Sequence, residues 1–252
     1  MFNRLSPSEH AIKATELPML AADFGDSPPR STTSSQLGGT PWWPAGKPYP
    51  TGLRGNPLLL LAQINFAETP ALDPFPRSGL LQIFIGSDDA YGCSFGGVSK
   101  GDDFVCVFHE DLTVSATPPP AINYDRENMF SPLEHPLTPL ALTFRLCSMT
   151  VDSTDYRLET LLPEIFRDGA KLDAYRDQQN TPPIRLGGYP TFTQDDPRFH
   201  SEPGAIGDFA LLTVDTTDGV MWGDSGVGQF LIHEDDLRRR DFSRVVYNWD
   251  CC

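Results

Sequence analysis

One seven-residue pattern occurs twice in this chain and limits what it can fold into. Gly79-Leu-Leu-Gln-Ile-Phe-Ile85 and Gly226-Val-Gly-Gln-Phe-Leu-Ile232 both read glycine, two residues, glutamine, two large apolar residues, isoleucine. Two further landmarks repeat in the same order. Leu-Gly-Gly-x-Pro begins at Leu37 and again at Leu186, 149 residues on. The run ending Ile64-Asn65 answers to the run ending Val214-Asp215, 150 residues on, while the two glycines that open the seven-residue pattern are 147 apart. A weaker fourth pair, Asp103-Phe104-x-x-Val107 and Asp241-Phe242-x-x-Val245, is 138 apart. Such spacing predicts two similar β-rich units that pack together and bury a shared face, with a crevice between them.

Short apolar runs bounded by glycine or proline read as strands, which we expect at 58–65, 80–85, 104–108, 112–116, 141–146, 209–215, 227–232 and 242–247. Helical spacing appears at 8–22, with Ser8 as its cap, and at 156–178, where Leu158, Leu161, Leu162 and Ile165 share a face. Residues 234–240 place three acids before three arginines, as a helix dipole favours. Residues 86–101 are rich in turn formers. Proline, at 24 of 252 residues, is about double its usual share and favours short elements. The expected fold is α+β and β-dominated, two related halves with a few short helices. Its parts are an N-terminal helix and loop (1–35), a first β-rich repeat (36–117), a connecting segment with helices (118–183) and a second repeat (184–252).

Charge narrows the partners. Thirty-four acids against nineteen bases leave a net charge of -15. A phosphate backbone needs clustered Lys and Arg, and the one basic cluster, Arg238-Arg239-Arg240, is flanked by acids. Nucleic acid and anionic membrane are therefore not expected partners; a basic protein or peptide partner, or charge that serves solubility alone, fits better. No apolar run approaches the roughly 20 residues of a membrane span, and the opening residues lack a signal-peptide pattern. Five cysteines without a C-x-x-C pair point to a reduced, cytoplasmic chain.

The motifs named above, with Leu61-Ala-Gln-Ile-Asn65, Trp222-Gly-Asp-Ser-Gly-Val-Gly228 and the ending from Asp241-Phe-Ser to Trp249-Asp-Cys-Cys252, resemble the YwqG-like family, a bacterial family classed as a domain of unknown function. The resemblance runs from about residue 36 to the end. It implies an α+β fold with a repeated β core and a cytosolic bacterial source, and it supplies no activity. Some relatives are encoded near secreted polymorphic toxins, which implies an immunity-like, partner-binding role. Thr213 stands where the family's second half often has a glutamine like Gln63.

Candidate ligand-binding residues are Trp222, Asp224, Ser225, Gln194, Asp195, Gln63, Gln82 and Gln229. Gly223-Asp-Ser-Gly226 matches the four residues around the nucleophile of chymotrypsin-like enzymes, but that mechanism also needs a histidine base and an orienting acid. His109 and Asp152 have the right order and no matching context. The preferred reading is a loop in which Asp224 and Ser225 bond nearby backbone amides. Two tryptophans, Trp42 and Trp43, read as packing. No cofactor or metal is expected: phosphate-cradling and dinucleotide motifs are missing, and Cys251-Cys252 lacks metal-ligand spacing. The leading expectation is a non-catalytic binding protein. Its rival is a hydrolase-type enzyme with a cleft between the halves lined by Asp224, Ser225, Gln194 and Asp195.

Overall fold

A computed structural model describes residues 6–94 and 103–252. Within them ten strands form one sheet: β1 (Leu17–Phe24), β2 (Gln36–Leu37), β3 (Leu59–Asn65), β4 (Leu80–Ile85), β5 (Phe104–His109), β6 (Leu140–Met149), β7 (Ile184–Gly187), β8 (Phe209–Asp215), β9 (Val227–Ile232) and β10 (Val246–Asp250). Their order is β10-β9-β8-β7-β1-β6-β2-β3-β4-β5, and every pairing is antiparallel. The sheet thus has two arms, β6-β2-β3-β4-β5 and β1-β7-β8-β9-β10. They join where β1 runs against β6 from Leu17↔Met149 to Phe24↔Leu142.

The arms curl until the sheet nearly closes. Phe104 of β5 stands 5.3 Å from Tyr247 of β10, and Phe108 stands 5.3 Å from Phe242. Alternate residues of each strand fill the enclosed core, among them Leu81, Ile83 and Ile85 from β4 and Phe230 and Ile232 from β9. Successive strand residues face opposite ways, so Gln82 and Phe84 point outward, yet both are buried. A second layer explains this. On the first arm Trp43 and Tyr49 cover Leu58, Leu60 and Phe84; on the second, Phe192 and Ile206 cover Leu231 and Val246. Strands covered on both faces read as unbroken apolar runs.

Each arm has the same irregularity. The β3–β4 ladder shifts register between Leu60 and Ala62, and the β8–β9 ladder between Ala210 and Leu212. One extra residue breaks the alternation, so Leu61 and Ala62 both reach the core, as do Leu211 and Leu212. The covering loops also leave their strands alike. Gly38 and Gly39 have φ of 59° and 73°, Gly187 and Gly188 of 76° and 71°, a region L-residues avoid. A Cβ on Gly39 would lie 2.6 Å from Pro139 Cβ, and one on Gly188 2.6 Å from Met149 Sδ.

Helices are short: α1 (Pro7–Lys13), α2 (Leu158–Leu161), α3 (Pro163–Phe166), α4 (Gly169–Gln178) and α5 (Glu234–Arg239). Those between β6 and β7 shield Met19, Met149 and Tyr189, with Leu158, Leu162 and Tyr175 facing in; Leu161 is exposed instead of sharing that face.

Four expectations are corrected. The helix expected over 8–22 is only α1, capped by Ser6 through a capping box with Glu9; the rest becomes β1. Pro18 is tolerated there because the second ladder of that strand begins only at Met19↔Gly187. The 112–116 segment forms no strand with β5. Asp111 accepts from Thr113 N and Oγ1 and turns the chain, which then lies beside 43–45 through Ala45 N to Ser115 O and Thr117 N to Trp43 O. The last strand starts at Val246, not at 242, because Asp241 makes a similar turn with Ser243. The fourth repeat pair is out of register. Leu80 pairs with His109 and Val227 with Asp250, which puts β10 141 residues after β5 instead of 138. Part of the turn-rich 86–101 stretch, from 95 on, lies outside the described residues.

Candidate functional site

The glutamines hold the covering loops down. Gln82 Nε2 donates to Trp42 O at 2.6 Å and to Gln63 Oε1 at 2.8 Å. Gln63 Oε1 also accepts from Trp42 N at 3.0 Å, and its Nε2 donates to Ser34 O at 2.8 Å. His109 Nε2 lies 2.9 Å from Gln82 Oε1, and since that oxygen only accepts, the histidine donates. Burial, helped by the Lys47 charge, holds the His109 pKa down at about 4.

On the second arm Gln229 Nε2 donates to Thr191 O and its Oε1 accepts from Thr213 Oγ1 at 2.7 Å. Thr191 lies 149 residues after Trp42, so both glutamines tie the same point of their loops. Arg185, the cross-strand neighbour of Thr213, reaches that loop as well, through Thr191 Oγ1 at 2.9 Å and Tyr189 O at 3.3 Å. Gln36 on the first arm bonds Gly38 O and, at 3.4 Å, Thr40 O. Arg185 is fully buried; burial lowers its pKa to about 10 against the opposing pull of Asp152 and Asp215. These side chains satisfy buried backbone groups, as buried polar atoms must.

The Gly223–Gly226 turn is closed by its backbone. Gly226 N donates to Trp222 O at 2.7 Å and Ser225 has φ of 66°. Asp224 and Ser225 are exposed and, contrary to expectation, their side chains bond no backbone amide among the described residues. His109 is engaged by Gln82 and Asp152 by Thr154. Trp222 is a core residue, 5.6 Å from the Tyr91 ring and 6.1 Å from Trp249. Gln194 fastens the chain end: its Nε2 donates to Cys251 O at 2.7 Å, and its N–H shares Asp250 Oδ2 with that of Thr193. Asp195 beside it is exposed.

Two adjoining clefts lie elsewhere. The first, about 510 Å³, runs between the arms, with Asp73 and Pro74 on one side and Phe209, His233 and Glu234 on the other. The second, about 480 Å³, is lined by Tyr156, Glu159, Phe199, Glu202 and Ile206. Asp208 lines both. Beneath them sits a buried ion network. Arg157 Nε and Nη2 bond Asp155 at 2.8 and 2.7 Å; Arg198 bonds Asp155 at 2.9 Å and Asp196 at 2.9 and 2.6 Å. Burial works against the Asp155 charge, but the Arg157 bonds and the Arg198 field outweigh it and lower its pKa. Arg157 also lies 4.6 Å over the Tyr189 ring. Neither cleft is lined by Asp224, Ser225, Gln194 or Asp195.

The network was missed at the level of sequence, although it has a short signal. Asp155-Tyr-Arg157 and Asp196-Pro-Arg198 are the same acid-x-arginine turn, in which the acid accepts from both the arginine N–H and its guanidinium.

A family model described as a domain of unknown function, DUF1963, matches residues 35–251. The chain belongs to the DUF1963 family. No curated protein matches it. The DUF1963 match starts just ahead of β2 and ends just after β10, so β1 lies outside it although it is central to the sheet. Among the described residues of this DUF1963 protein no helix is long and apolar enough to cross a membrane, and no group of three or more His, Cys, Asp or Glu has a metal-holding arrangement.

Proposed function

We propose that this DUF1963 protein is a YwqG-like, non-catalytic binding protein of the bacterial cytoplasm that takes a basic protein or peptide partner, in the manner of an immunity-type neutraliser. The observation that carries this reading is the charge of the two clefts. Both arginines in their walls are committed to buried aspartates, Arg198 reaching Asp208 as well at 3.4 Å, while Asp73, Glu159, Glu202 and Glu234 remain on the walls. An acid-lined concavity on a chain of net charge -15 favours a cationic partner and speeds its encounter. We also propose that the two arms arose by duplication of one unit. The matched bulges, glycine pairs and loop-holding glutamines support that reading.

Affinity purification of the tagged, full-length chain from cells that naturally express it tests the function. A basic protein recovered in stoichiometric amount and released by raised salt is expected. Recovery of no protein above the untagged control would overturn it.

A further inference from the structure

We infer that the anchor for this partner is the groove between α2 and the turn at 197–204, and that its occupant is a segment alternating basic with apolar side chains. The inference rests on the binding reading above and names its site.

The groove combines two features that a solvated acidic face lacks. Its floor is apolar, with Ile206 buried and Tyr156 half-buried, and Phe199 and Pro203 stand open beside them; Phe199 leaves 54% of its surface exposed. A large aromatic ring left open in a concavity is the kind of surface that anchors a partner. Its rim is acidic: Glu159, Glu202 and Asp208 stand around that floor. Glu159 and Glu202 form no ion pair among the described residues, unlike Asp73, which pairs with Arg77, and Glu234, which pairs with Arg238. The basic group lining the groove is Arg198, whose guanidinium lies 4.8 Å over the Tyr156 ring, is bonded to Asp155 and Asp196, and stands 3.4 Å from Asp208, which leaves Glu159 and Glu202 as the unpaired rim acids. Asp155 and Asp196 offset its charge, so an incoming cation meets the rim acids. The Phe199 ring offers a cation–π face beside the same rim. An acidic peptide would be repelled, and a purely apolar one would leave the rim carboxylates unpaired.

The test is fluorescence anisotropy with a labelled peptide of alternating arginine and leucine, on the full chain at about 0.15 M salt, where distant charges are largely screened. Glu159→Gln with Glu202→Gln is compared with Asp26→Asn with Asp177→Asn, exposed acids outside the groove. Both pairs change net charge equally. The groove pair is expected to weaken binding about tenfold and the control pair less than about twofold; Phe199→Ser is expected to weaken it as well, with thermal melting unchanged in all three. Equal losses from the two pairs would overturn the groove while leaving the binding reading intact. Equal binding of a glutamate–leucine peptide would overturn the choice of occupant. No binding to the wild-type chain would overturn both the groove and the reading it rests on.

Discussion

Protonating His109 should unlock the first arm. The residue is 7% exposed, and its ring lies edge-on to Trp42 and Trp43 at 5.1 and 5.4 Å and donates to Gln82. Its pKa falls from 6.5 to about 4 on folding. A histidine held below its unfolded value binds fewer protons in the native state, so stability is complete above pH 6.5 and is lost as pH falls towards 4. The full shift corresponds to about 3 kcal/mol, of which about 2 is expressed by pH 4.5. Asp152, Asp215 and Asp250 titrate the other way, since burial raises their pKa, so the histidine is best isolated by difference. Urea denaturation of the wild type and His109→Gln at pH 7.5 and 4.5 provides it. The variant keeps a donor for Gln82 and has nothing to protonate. The stability gap should move by about 2 kcal/mol in favour of His109→Gln at the lower pH. A gap that moves by less than about 0.5 kcal/mol would refute the argument that burial sets this group.

Two further outcomes follow from buried polar bonds. Arg198→Met leaves the buried Asp196 without its guanidinium and Asp155 with Arg157 alone, and should cost about 3–5 kcal/mol in urea denaturation; a loss under about 1 kcal/mol would mean that the carboxylate finds water. Gln229→Leu and Thr213→Val each orphan the other's partner atom, so a double-mutant cycle should return a coupling of about 1–2 kcal/mol, and strict additivity would count against the Thr213–Gln229 bond.

The central strands were legible because local pattern and burial agree in them. β4, β8 and β9 stand at the residues their apolar runs indicate. Where side chains turn the backbone, pattern failed: Asp111 and Asp241 redirect segments whose composition alone favours strands. β1 was missed because its partners are remote, so nothing near Pro18 announces the ladder with β6. Gln63, Gln82 and Gln229 were recognisable as unusual, a polar side chain on each of three apolar strands. Their work of holding loops needed the second layer to be seen. The cleft residues were illegible for another reason: Tyr156, Glu159, Phe199 and Asp208 come from unrelated stretches, brought together by the Asp155–Arg198 pairing and by the bonds of Tyr156 to Asp196 and Asp208.

The placement of β1 has a consequence for biosynthesis. This strand leaves the ribosome ahead of both its neighbours: the segments that flank it, at 140–149 and 184–187, emerge more than a hundred residues later. Until then its buried stretch from Met19 to Ala22 has two naked edges, a hazard for aggregation. Beyond Leu142, β6 has β1 as its sole ladder partner among the described residues. A chain trimmed to residues 35–251 would thus be left with two half-sheets facing an empty slot. Any recombinant fragment designed from the family boundary should be extended back to include the strand that fills it.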